Sequence, residues 1–538
     1  MLLACLLLLS GSLRADWINL TGAEIAPNIA EIYILEDRVE VKLEVYVDHI
    51  SIFQDLVPDD WVRDLAADRP SLAERQRRFA ASGLTIKTGN GEVLPARFGL
   101  VEPRTRVDRR SPFAGQVNPY NMRRLPDAPE DKRVLYAEIS YPFSTRPDRL
   151  QISPPLDDSG LGRVNVGFIA YHDNVPVTDF RYLGRAETLD LDWQDPWYSR
   201  FENKNLTRHH RYPIMLFVYA EPRRVRTEAI LRVADLERML EFDRDEARDA
   251  EAMRDLLSAQ WISYHLSQDL LTIDGRQAKP DTVRIDYLNA GLSGIRRVEG
   301  EVDLADPSLL VGVVTEYFVS GLPDLVEYEW RYFNERFENI PFTASDPVGP
   351  LANFIDPEAP VIRWQNFLKQ YREPEPVPVQ VPTGWNVDLP YVGNLRVWNR
   401  SPDAAQATAI VSGVLANLQA AFIEVQPGNL ERRIDELTAA QDAEALGNEL
   451  ARLFAPTVRG DGKGAVFEFQ DLQVEITREL DTANGFSATV AGTADIRAQH
   501  WGHQDQRIVQ FQLLLDLVEP DGDWQLVDAT VIDLKQVN

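Results

Sequence analysis

Between Val39 and Val47 apolar and polar residues alternate, with Val39, Val41, Leu43, Val45 and Val47 at every second position. A period of two predicts a strand with one buried face. Val225, Thr227, Ala229 and Leu231 repeat the pattern more weakly further along. A helix is predicted after each. Ser71 with Glu74 three residues on forms a capping-box pattern, and the helix ends near Gly83. Asp243 with Glu246 leads into Met253, Leu257, Trp261 and Tyr264 at helical spacing. Leu84-Thr85-Ile86 and Leu271-Thr272-Ile273 then restart β structure. Further strands are predicted over 135–143, 164–171, 309–320 and 325–333, broken by Pro, Gly and Asp.

The landmarks recur in order. Glu44, Tyr141, Ser144, Pro147-Asp148 and Trp193-Gln194 are matched by Glu228, Tyr317, Ser320, Pro323-Asp324 and Trp364-Gln365. This predicts two tandem antiparallel β-sandwich repeats with an inserted helix, over 16–205 and 206–372. Trp193 and Trp364 read as core plugs on the last strand of each repeat, with ligand stacking as the alternative.

Alternating prolines in Glu373–Pro382 predict an extended, semi-rigid linker over 373–394 that sets the last domain apart. Residues 395–538 change character. Ser401-Pro402 starts a helix with the apolar stripe Val411, Val414, Leu415, Leu418 and Phe422, and two shorter helices follow around Ile434 and Leu450. After a glycine-rich turn at 460–464 come four strand-like runs, 466–476, 486–499, 507–518 and 524–534. Helices followed by a long antiparallel sheet make an α+β domain, so the chain as a whole reads as mainly β plus α+β.

That order, closing on Asp521-Gly522-Asp523-Trp524-Gln525-Leu526-Val527, resembles the nuclear transport factor two-like (SnoaL-like) cone. The resemblance implies a cavity between helix and sheet, in which Trp501, Trp524 and Phe422 are the candidate ligand contacts. Gln499-His500-Trp501-Gly502-His503, with Arg507 and the Asp-Gly-x-Trp hairpin, resembles the C-terminal domain of uncharacterised exported bacterial proteins. Some of these carry β domains like those of the hydrogenase/urease accessory (permease-like) family. No catalytic residue comes with either resemblance.

The net charge of −28 argues against nucleic-acid partners and an anionic membrane surface. In such a chain the cluster Arg104, Arg106, Arg109 and Arg110 reads as a solvated loop. Residues 1–15 read as a secretory signal peptide without the usual leading basic residue, so a periplasmic or secreted protein is expected. Leu2-Leu3-Ala4-Cys5 has the look of a lipoprotein box, though it precedes most of the apolar run. Cys5, the only cysteine, would leave with the signal, and the mature chain would lack thiols and disulfides. No later segment reads as a membrane span.

His500, His503 and Asp505 form the best polar constellation. On one strand positions 500 and 503 would face opposite ways, whereas a turn at Gly502 lets two imidazoles and a carboxylate converge on a divalent transition metal. The competing reading is a hairpin whose histidines bond to backbone or water. His209-His210 reads as solvated, His265 as a boundary residue, and His49 and His172 as isolated. There is no Gly-x-Ser-x-Gly elbow and no phosphate-binding loop, and no carboxylate pair stands out among 84 acidic residues. Three functions follow: an exported non-catalytic binding or scaffold protein with a protein partner, a periplasmic metal-binding accessory protein, and an enzyme with its pocket in the C-terminal cone.

Overall fold

The computed structural model describes residues 21–63, 69–109, 111, 114–118, 122–291, 294–368, 373–399, 401–423, 426, 428–458, 462–480, 485–520 and 522–537. The signal-peptide segment, Gly460 and Asp461 of the glycine-rich turn, and Asp521 lie outside them. Strands take 42% of the chain and helices 21%, which makes the protein mainly β with α+β character.

The N-terminal part holds β1 (Asn28–Ile34), β2 (Arg38–Tyr46), α1 (Leu72–Ser82), β3 (Thr85–Thr88), β4 (Arg97–Thr105), β5 (Arg133–Pro142), β6 (Arg149–Ser153), β7 (Val166–His172), β8 (Val175–Pro176), β9 (Arg181–Tyr182), β10 (Glu187–Asp190) and β11 (Arg200–Phe201). One sheet runs β4-β5-β2-β1-β7-β8 with β9 on β7, and a second runs β11-β10-β6-β3. The apolar positions of β2 and β5 point at Ile86, Leu150, Ile152 and Leu189 of the smaller sheet, with Phe79 of α1 in the same core. The Ser71 hydroxyl caps α1 by accepting from the Glu74 N–H at 3.3 Å.

The middle part holds β12 (Ile214–Glu221), β13 (Arg224–Arg232), α2 (Val233–Leu240), α3 (Ala250–Gln268), β14 (Leu271–Ile273), β15 (Arg276–Gln277), β16 (Thr282–Gly291), β17 (Gly294–Arg297), β18 (Leu310–Phe318), β19 (Leu325–Glu329), β20 (Ile340–Ser345), β21 (Pro350–Ile355) and β22 (Val361–Gln365). Its sheets run β17-β16-β18-β13-β12-β20-β21 and β15-β14-β19-β22. The order of the larger sheet matches its N-terminal counterpart. In both, the central hairpin (β1-β2, β12-β13) has an antiparallel neighbour on one side and a parallel strand (β7, β20) on the other. That parallel pairing corrects the expectation of purely antiparallel sheets. Tyr141 opposes Val39 and Tyr317 opposes Val225, so the tyrosine landmarks hold equivalent places. The tryptophans do not. Trp364 lies on β22 opposite Val326, whereas Trp193 follows β10, where Leu189 holds the equivalent position opposite Leu150. Trp193 is half-buried beyond the strand, its N–H donating to Pro147 O at 2.8 Å.

After the short hairpin β23 (Gly384–Leu389) and β24 (Gly393–Asn399), the C-terminal part packs α4 (Ala404–Phe422), α5 (Asn429–Leu437) and α6 (Ala443–Phe454) on an antiparallel sheet. A small pair, β25 (Thr457–Val458) and β26 (Gly462–Lys463), precedes that sheet. Its four long strands are β27 (Ala465–Leu480), β28 (Gly485–His500), β29 (His503–Val518) and β30 (Gln525–Val537), in sequential order. The N-cap of α4 is Asp403, in a reciprocal capping box with Gln406, and not Ser401. Contrary to expectation, α4 is long and apolar enough to cross a bilayer by length and composition alone. Here its stripe from Ile410 to Leu418 lies in the domain core.

The proline-rich segment is not a free spacer. Val377 exchanges two hydrogen bonds with Asn417, at 2.9 and 2.8 Å, and Val379 accepts from the Trp524 N–H at 3.0 Å. The Val379 side chain sits in the core against Gly413, where an added Cβ would come within 2.9 Å of it. The N–H groups of Val377 and Val379 dock the segment, the first on Asn417 and the second on the Asp523 carboxylate.

Candidate functional site

The outer face of the middle seven-stranded sheet joins the three parts of the chain. In β12, β13, β16 and β18, alternate residues line the middle core, while Phe217, Tyr219, Ile230, Leu288, Leu310 and Val314 face the other way. These outward residues are buried too. They form one apolar cluster with Val175 and Trp197 from the N-terminal part and Trp501 from the C-terminal hairpin. The half-buried strand predicted over 225–231 is therefore covered on both faces.

Trp501 and Gly502 form the two-residue loop between β28 and β29, with φ of 47° and 75°. Two successive positive φ values suit a type I′ hairpin turn, and the first is unfavourable for a tryptophan. Packing holds it there. The indole occupies the space left by Gly312, the third residue of β18, where a Cβ would stand 2.2 Å from Cη2. Gly502 lies against the Phe217 ring, where a Cβ would come within 2.3 Å.

Three polar groups bind the turn's backbone. The Glu228 carboxylate accepts from the Trp501 N–H at 2.5 Å, the Tyr219 hydroxyl from the Gly502 N–H at 3.1 Å, and Arg226 donates to Gln499 O at 2.5 Å. The groups also hold one another. Arg226 donates to Glu228 at 2.5 Å and to Glu221 at 3.2 Å, with its guanidinium 4.1 Å from the Tyr219 ring centre, and the Tyr219 hydroxyl donates to Glu228 at 3.1 Å. Burial pushes the Glu228 carboxyl upward despite Arg226, and pushes the Tyr219 hydroxyl well above its usual range. Burial also favours protonated Glu221, but Arg224 and Arg226 outweigh it and hold that carboxyl down.

A second polar knot ties the N-terminal part to the same region. Arg232 donates to both oxygens of Asp195, at 2.8 and 3.0 Å, and to Asp235 at 2.6 Å. Arg336 pairs with Asp192 and stands 4.1 Å over the Tyr198 ring. Arg208, buried, lies 4.1 Å over Trp197, and burial with the nearby Arg232 brings its pKa down to about 9.

No protein-family model and no curated protein matches this chain. Geometry alone must therefore assign the site.

The sequence-predicted residues separate. His500 is buried and pairs in register with His503, while Asp505 opposes Ala498. Positions 500, 503 and 505 thus share one face of the hairpin, the arrangement expected if the chain turns at Gly502. The His503 side chain lies outside the described residues, and among those described no three His, Cys, Asp or Glu groups are placed to hold a metal. Trp501, a candidate ligand contact, is covered by its own chain. Trp524 is buried, packing 5.3 Å from Phe486 and donating to Val381 O at 3.1 Å. Phe422 stacks on Phe454 at 5.0 Å, and Phe467 is half exposed under the Arg497 guanidinium. Trp501 thus belongs to one apolar cluster, and Trp524 and Phe422 to another.

Two other histidines, His265 and His172, differ from expectation. His265 is core, bonded to Trp261 O at 3.0 Å and the Tyr328 hydroxyl at 3.1 Å, and burial lowers it to about 4. His172 is fully buried, 2.7 Å from the Ser199 hydroxyl with Trp193 edge-on at 4.4 Å, and burial lowers it to about 4. The His172–Ser199 pair has the atoms of a nucleophile and base without exposure to a substrate. Of the arginine cluster, Arg110 lies outside the described residues and Arg104 is exposed, while Arg106 and Arg109 are not solvated. Arg106 is buried on Ala26 O at 2.6 Å, Arg109 pairs with Glu31 at 2.6 Å, and Arg104 covers the Tyr136 ring at 3.5 Å.

Sequence reasoning missed Tyr219, Arg226 and Gly312, and used Glu228 only as a landmark. One signal was available: a glycine at the centre of the apolar run Leu309–Val314 marks close approach of another group.

Proposed function

We propose that this chain is an exported, non-catalytic binding or scaffold protein. It is built from two tandem β-sandwich repeats and a cone-like C-terminal domain locked into one frame. The observation that carries this reading is the single apolar cluster to which all three parts contribute, with Trp501 as its C-terminal member. The segment richest in candidate chemistry, 499–505, has the two N–H groups of its turn, those of Trp501 and Gly502, on Glu228 and Tyr219, a joining role. A frame of this kind keeps its exposed surfaces at fixed spacing, which favours binding several features of one partner at once.

The metal-binding alternative rests on the register that brings positions 500, 503 and 505 to one face. Two measurements on the full chain, isolated from its own compartment without an affinity tag, separate the readings. The scaffold reading predicts a defined hetero-complex after in-cell cross-linking, and metal well below one equivalent in wild type and His500→Ala alike. Near-stoichiometric zinc, nickel or copper that is lost in His500→Ala/His503→Ala contradicts it.

A further inference from the structure

Sheets guard their outer strands against pairing with other chains by keeping them short, charged, bulged or proline-broken. Most edges here do so. β4 carries Arg97, Glu102, Pro103 and Arg104 and a register shift. β8, β11 and β15 are two residues long. β17 ends in Arg296-Arg297, β22 has Arg363 at its centre, and β27 and β30 are charged and shifted in register. β21 departs from this rule. It reads Pro-Leu-Ala-Asn-Phe-Ile, carries no charge, pairs with β20 in unbroken register, and ends its sheet. Leu351 is 64% and Phe354 49% exposed, and Val348 in the preceding turn is 76% exposed.

The ladder determines which backbone groups face outward. The turn closes with the Asp346 N–H on Gly349 O at 3.2 Å. Pro341 and Pro350, without N–H groups, lie opposite Phe354 and Ser345. Counting along the ladder, the pairs bonded to β20 fall at 351, 353 and 355. The N–H and C=O of Ala352 and the C=O of Phe354 then point away from the sheet, while the Phe354 N–H donates to the adjacent Asn353 Oδ1 at 2.9 Å.

Charge restricts what can pair there. Residues 338–362 contain Glu338, Asp346, Asp356 and Glu358 and no Lys or Arg. A second copy would set the same acids against these, in a chain already at −28. We infer that β21 accepts an extended segment of another protein, apolar at alternate positions and flanked by Lys or Arg, as an added strand. The inference names a partner class for the binding protein proposed above and rests on that reading.

The test uses the full chain and a fluorescent peptide of alternating Val and Thr with Lys at both ends, read by anisotropy. Saturable binding is expected, weakened about tenfold by Ala352→Pro, since one outward N–H is lost while the ladder to β20 is spared. Leu351→Lys, which adds a repelling charge without touching the backbone, should weaken it similarly. N-methylating alternate peptide amides should abolish binding, and Glu in place of the Lys flanks should reduce it. Circular dichroism checks that both variants are folded. No saturable binding, or binding indifferent to both variants and to N-methylation, overturns the inference. So does a wild-type dimer in light scattering that Ala352→Pro makes monomeric, because the edge would then belong to a second copy. If the peptide fails while the in-cell hetero-complex persists, the binding reading stands and only β21 is excluded.

Discussion

Replacing Gly312 by Ala probes the Trp501 socket from the sheet side without touching the hairpin. The new methyl would meet the indole at 2.2 Å and Leu288 Cδ1 at 2.6 Å, so Trp501 must leave or the sheet must shift. Trp501 is 2% exposed. A buried tryptophan covers roughly 150–250 Å², and truncating one costs about 3–5 kcal/mol. Trp501→Ala should cost that much, and Gly312→Ala a similar amount by eviction. The double variant should cost no more than Trp501→Ala alone, because the methyl then enters vacated space, giving a coupling of about 2 kcal/mol or more. The assay is urea unfolding of all four proteins, with proteolysis of 499–504 as a local probe. Both single variants should expose that hairpin to protease while the middle domain keeps its fold. Additive single effects, or a Gly312→Ala variant within about 0.5 kcal/mol of wild type, would refute the socket.

Glu228→Gln removes the charge facing Arg226 and should destabilise the junction by about 3–5 kcal/mol, read as a lower urea midpoint, because a buried guanidinium loses its nearest anion. His265 titrates near 4 when folded and near 6.5 when unfolded, so the unfolded chain binds the extra proton between those values. Stability from this group is complete above pH 6.5 and lost as pH falls toward 4, by on the order of 3 kcal/mol; in His265→Gln the midpoint should fall less over that window. Arg232→Met leaves Asp195 and Asp235 without their shared cation and should loosen the N-terminal part first, seen as faster hydrogen exchange over 192–199 than over 225–231.

Local patterns made individual elements legible. Alternation over 39–47 became β2, Ser71 and Glu74 capped α1, and Met253, Leu257 and Trp261 became the buried stripe of α3. The sequence misled where tertiary contact overrode local signals. Asp243 caps only a short 3-10 turn, and α3 is capped by Asp249. The prolines of 373–382 predict an extended segment, but nothing local tells a spacer from a segment docked on Asn417 and Trp524. The candidate hairpin was visible as His500-Trp501-Gly502-His503. Its partner was not, because Arg226 and Glu228 lie far from it in sequence and look like the solvent side of an amphipathic strand. Charged residues on a strand reveal burial only once both faces are known to be covered.

The central claim is that the 499–505 hairpin joins domains and does not depend on metal. Hydrogen exchange at the amides of Trp501 and Gly502, in chelator-treated protein and again with added zinc or nickel, tests it most directly. The account predicts strong protection at both amides without metal, unchanged on adding it and lost in Glu228→Ala. Protection that appears only when metal is added would contradict it.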